Sequence, residues 1–127
     1  MRRMLKPEFT CSVSVRHLPE QSEPDNGAYA FAYTITIRNT GTVTAQLIAR
    51  HWVITDARGH TEEVRGLAVV GQQPLLKPGE RFEYTSWTRI ATPQGSMRGT
   101  FMCMTEDAKP FDTPVPEFGL SLPSALH

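Results

Sequence analysis

Long apolar runs are missing from this sequence. Nothing in it approaches the ~18 consecutive apolar residues of a membrane span. The opening MRRMLKPEF is basic but lacks the apolar stretch of a secretion signal. No membrane insertion and a cytoplasmic location are therefore expected. Cysteine is scarce: Cys11 and Cys103 are the only two, and they lie far apart. Without an export signal this favours two reduced thiols over a bridge, and it leaves a zinc site short of ligands. A charge surplus is absent too, with thirteen Lys and Arg balancing thirteen Asp and Glu. Nucleic-acid binders usually carry a basic excess, so no nucleic-acid partner is expected.

Helical periodicity is the fourth absence, and two-residue alternation takes its place. In FTCSVSV, Phe9, Cys11, Val13 and Val15 share one face; in YAFAYTITI, Tyr29, Phe31, Tyr33, Ile35 and Ile37 do so. That spacing makes strands with one face on a core. AQLIARHWVIT is apolar on both faces and reads as a central strand, with Trp52 in the core. Turn chemistry separates the runs: EQSEPDNGA is a long polar loop, NTGTV turns at Gly41, TDARGH places a left-handed residue at Gly59, and KPGE turns at Pro78 and Gly79. Turns recurring without intervening helices predict an all-β sandwich of seven or eight mainly antiparallel strands, near 8–18, 28–39, 43–55, 60–70, 81–88, 97–105 and 110–122. Proline cannot donate to a ladder, so PFDTPVPEFGLSLP is expected at an edge with irregular pairing.

The residues that carry chemistry are dispersed. His17, His51, His60 and His127 stand apart, and Ser86 in YTSW lacks the GxSxG elbow of a nucleophilic serine. No catalytic residue and no cofactor are expected. DARGHTEE gathers Asp56, His60 and Glu62 round one hairpin, and these are the metal candidates. Their spacing matches no metal-binding loop, so a solvated hairpin tip is the preferred reading. Glu62 and Glu63, as strand neighbours, point to opposite faces. Trp87 follows Phe82 and Tyr84 by an odd offset, which turns it outward as a candidate interaction surface.

GLAVVG, at Gly66 to Gly71, falls one glycine short of GxGxxG because Ala68 holds the middle position. That motif grips phosphate only where a helix N-terminus follows the strand, and Pro74 and Pro78 exclude a useful helix here. Residues 67–70 are expected to be a strand or strand end, with Gly71 left-handed. A looser anion nest from turn amides, using Arg65, Gly66 and Gly71, is the alternative.

RHWVITDARGHTEEVRGLAVVGQQPLLKPGERFEYTS, EDAKPFDTPVPEFGLSLPSALH and YAFAYTITIRNTG together resemble the bacterial ApaG proteins, from about Phe9 to His127. The resemblance implies a fibronectin type III- or immunoglobulin-like sandwich and a genetic link to cobalt resistance and magnesium efflux, without an established catalytic activity. Related domains in eukaryotic F-box and DNA-polymerase-interacting proteins look like protein-interaction modules. The family's usual G-x-G-V-V-G has prompted a pyrophosphate- or nucleotide-binding proposal. Here Ala68 replaces its middle glycine, and Trp87 stands where the family commonly has glycine after YTS. Combining the two readings, a single domain over 1–127 is expected, with Met1 to about Glu8 a flexible lead-in. The expected activity is non-enzymatic binding or adaptor work on an unidentified protein partner. A small-anion ligand is the alternative, and either a monomer or a homodimer fits.

Overall fold

The computed structural model describes residues 5–123; His127 and the first four residues of the lead-in lie outside them. Eight strands follow in chain order: β1 (Phe9–His17), β2 (Tyr29–Asn39), β3 (Ala45–Asp56), β4 (Thr61–Leu67), β5 (Leu75–Leu76), β6 (Arg81–Ile90), β7 (Gln94–Thr105) and β8 (Pro110–Ser121). They form two sheets, one in the order β1-β2-β6 and one in the order β4-β3-β7-β8, with β5 on β3. Every pairing is antiparallel. The inner faces meet as a sandwich, as the alternation predicts. Phe31, Ile35, Ile37, Leu47, Phe101 and Leu120 are fully buried between them. Trp52 is buried too, edge-on to Tyr33, Phe101 and Phe118 at 5.6–6.2 Å. Such edge-to-face contacts suit the ring quadrupoles.

The two-faced apolarity of β3 has a local cause. Leu47 pairs with Cys103 and Ala49 with Met102, so Ile48 is an extra residue that bulges the strand. Before the bulge Ala45 and Leu47 are buried; after it Trp52 and Ile54 are. The inward phase has therefore shifted by one residue. β8 does the same around Pro116: Thr113 and Val115 are buried before the irregularity, and Leu120 after it. This strand is an edge, as its prolines require.

The polar loop after β1 contains two short 3-10 turns, Pro19–Gln21 and Pro24–Asn26, each started by a proline with preset φ. The loop packs Leu18 over Ala30 and Ala32 on the outer face of the small sheet, forming a second, minor apolar cluster. In the lead-in, Lys6 and Glu8 are hydrogen-bonded through their carbonyls to the amides of Thr40, Gly41 and Thr42. β4 ends at Leu67, three residues earlier than expected, and β7 begins at Gln94, three residues earlier.

Both cysteines are free thiols. Burial pushes Cys11 up to about 12 and Cys103 up to about 11. Both sit in apolar surroundings that disfavour the thiolate, so neither is primed as a nucleophile.

Candidate interaction surface

The glycine segment is a turn. After β4, Ala68 has φ +67° and Val70 φ +42°, both left-handed without being glycine. The Val69 amide donates to the Gln72 carbonyl and the Gln72 amide to the Val69 carbonyl, both at 2.8 Å. Between them Val70 and Gly71 (φ +79°) both carry positive φ, the requirement of a type I′ turn. Val69 is fully buried and pins the turn to the core. A β-rich composition thus reads as strand, but core anchoring and the I′ geometry break the strand at Leu67. The amides of Ala68, Val69 and Gln72 already donate to backbone carbonyls.

Arg65 and Gly66 lie on opposite faces of β4. Arg65 pairs with His51 on the outer face and reaches Glu63, whose carboxylate also accepts from His51 Nε2 at 2.8 Å. The hydrogen bond from His51, with Arg65 beside it, holds the Glu63 carboxyl below the usual carboxylate range. Gly66 pairs with Arg50, whose guanidinium donates to the carbonyls of Leu67 and Ala68, each at 2.9 Å. A Cβ on Gly66 would lie 2.8 Å from Arg50 Nη1. The absent side chain therefore makes room for the arginine that straps the turn. The sequence does carry a signal for Arg50: if Trp52 faces inward, so does the residue two before it.

Gly71 makes no such contact, since an added Cβ would meet nothing within 4 Å. Gly71→Ala should therefore destabilise the fold through its backbone alone, by about 1–2 kcal/mol. A denaturant midpoint unchanged from the parent would show that the turn relaxes freely out of the left-handed region.

Asp56, His60 and Glu62 do come together, lining a cavity of about 200 Å³ with Ile54, Arg89 and Ile90. The Asp56 carboxylate accepts from the amides of Arg58 and His60 at 2.9 Å, which makes it the staple of the hairpin. Arg89 brings a positive charge to the same cavity. Among the described residues, no group of three or more His, Cys, Asp or Glu side chains is arranged to hold a metal ion.

Trp87 faces outward on the small sheet, 55% exposed, with the Arg89 guanidinium 5.8 Å from its ring centroid. That arrangement is within cation–π range.

The larger sheet carries an apolar surface that the sequence did not reveal. Leu67, Ala49 and Met102 form one rung across β4, β3 and β7. Leu75, Gln46 and Met104 form a neighbouring rung across β5, β3 and β7. All four large side chains are exposed, from 36% for Met102 to 72% for Leu67, and Val70 at the turn is exposed as well. Single exposed apolar residues are ordinary, but a group on one sheet face is a candidate contact surface. The alternation Phe101, Met102, Cys103, Met104 hints at the methionines. Their convergence with Leu67 and Leu75 depends on long-range register.

The ApaG domain model matches residues 19–105. Protein ApaG of Ralstonia nicotianae is 61% identical over 124 residues, covering 98% of this chain and all of that protein. Protein ApaG of Bordetella pertussis is 55% identical over 126 residues, covering 98% and 96%. A crystal structure from Bordetella pertussis, described as an ApaA protein, superposes with a TM-score of 0.92 at 52% identity, over 97% of this chain and all of that one. None of these names carries an enzymatic activity. By sequence along nearly its whole length, and by the sandwich that sequence builds, the chain belongs to the ApaG domain family.

Proposed function

We propose that this chain is a non-enzymatic protein-recognition module whose outer face on the larger sheet docks an apolar surface of a protein partner. The observation that supports this is the pair of adjacent rungs exposing Leu67, Leu75, Met102 and Met104. Methionine is adaptable and polarizable, so such a surface can fit an irregular partner. His51, Glu63 and Arg65 lie on the next rungs of the same face and supply the polar rim expected round an apolar contact. On this reading, the family's link to cobalt resistance and magnesium efflux runs through the partner rather than through an ion held here.

The test is retention from native cell extract by immobilised protein, compared with a Leu67→Glu/Met102→Glu variant. Both positions are exposed, so the variant should fold. A retained protein that binds the parent directly when purified, and at least tenfold more weakly the variant, is the expected result. Equal retention by both chains would overturn the reading. Pyrophosphate-induced amide shifts centred on Gly66 and Gly71 would put a small-anion binder in its place.

A further inference from the structure

The opposite outer face, on the small sheet, has a different chemistry. Its side chains come from alternate residues of β1, β2 and β6. Four are arginines (Arg16, Arg38, Arg81 and Arg89), one is the carboxylate Glu83, and hydroxyls fill most of the middle. The face thus carries a surplus of three positive charges in a chain whose total is zero. Among the described residues, none of the four arginines takes part in an ion pair. Glu83 instead accepts from Thr36 at 2.8 Å.

The arginines cluster at the two ends. Arg38 and Arg81 stand directly opposite each other on β2 and β6, an arrangement of like charges that destabilises the free sheet. They border a depression of about 350 Å³. At the other end Arg16 shares a rung with Trp87 across Ala32, and Arg89 lies over the Trp87 ring and donates to the Gln21 carbonyl at 3.2 Å, where the loop carrying Leu18 closes the face over Ala30 and Ala32. The two rungs lie six residue steps apart along β2, roughly 20 Å at strand rise. Six or so residues of extended peptide would span that distance.

From this we infer that the small-sheet face binds an extended acidic segment of a protein partner, with carboxylates at Arg38/Arg81 and at Arg16/Arg89 and an apolar side chain on Trp87. This rests on the protein-recognition reading and adds a second docking face to it. Charge complementarity selects the occupant. Guanidinium forks match carboxylates in a bidentate way, and Arg and Trp are the residue types that dominate protein–protein hot spots. A single-stranded nucleic acid would want successive stacking aromatics, whereas this face has one.

The probe is an octapeptide of glutamates with one leucine second from an end, titrated into the full chain and followed by backbone amide shifts. Saturable shifts on outward residues of β1, β2 and β6 are expected, weakening several-fold as salt is raised. Arg38→Gln/Arg81→Gln should weaken binding at least tenfold. Because that variant also removes a like-charge pair, its thermal midpoint should match or exceed the parent's, which separates lost binding from lost folding. The inference is overturned if the lysine counterpart of the peptide binds as well, if shifts fall elsewhere, if no shift appears, or if oligouridylate binds more tightly. The extract experiment reads the other face, so failure of the peptide titration is distinguishable from failure of docking on the larger sheet.

Discussion

Truncating Ile35 to alanine is expected to cost about 2–5 kcal/mol, because the deleted atoms leave a cavity that close-packed neighbours fill only partly. Ile35 is fully buried at the centre of β2, paired with Val13 on one side and Tyr84 on the other. Its neighbour Thr36 faces outward and holds only the exposed hydrogen bond to Glu83. Thr36→Ala should therefore change stability by less than about 1 kcal/mol. Chemical denaturation of the two variants side by side reads the register of β2 directly. Reversed magnitudes would mean a one-residue slip, which exchanges the two faces of a strand.

Asn39→Ala should be comparably damaging, roughly 3–5 kcal/mol, although it removes a polar side chain. Asn39 is 1% exposed at the end of β2. Its amide donates to the carbonyls of Val43 and Leu76, and its carbonyl oxygen accepts from the Gly41 amide, all at 2.9 Å. One side chain thus closes the 39–43 turn and ties the small sheet to β5 of the large one. Alanine leaves the Val43 and Leu76 carbonyls without that donor, while the Gly41 amide keeps the Glu8 carbonyl, and each buried polar group so stranded costs about 1–3 kcal/mol. Asn39→Asp separates polarity from hydrogen-bond donation. An ionised carboxylate cannot donate and would face two carbonyls, so its folded pKa should rise above the unfolded value. The variant's stability should then be greatest in acid and decline as pH rises through that folded pKa. A profile flat from the unfolded carboxyl pKa upward would show that water reaches the site.

The strands of this sandwich were readable where one face meets the core without interruption. β2 follows its alternation from Tyr29 to Ile37, and its inward set is the one observed. β3 was legible as central, but not in phase, because the extra residue Ile48 is defined only by its pairing partners on β7. The segment at residues 67–70 misled for a related reason. Its composition is that of a strand, while two non-glycine residues take left-handed conformations held by the buried Val69, the strap from Arg50 and the turn's own backbone hydrogen bonds. Site geometry followed the same rule. The outward turn of Trp87 came from local alternation, and the gathering of Asp56, His60 and Glu62 from one hairpin. The apolar rungs and the opposed arginines exist only across strands that lie far apart in sequence.

The prolines of β8 bear on what this molecule can polymerise into. Pro110, Pro114 and Pro116 remove three amide donors from the outermost strand of the larger sheet, and the register irregularity around Pro116 interrupts its ladder. A chain edge of that kind is a poor template for a further strand, so growth of a continuous cross-β fibril from it is blocked at its first step. Contact made through the exposed leucine and methionine side chains of the face therefore finds no strand template at this edge along which to extend.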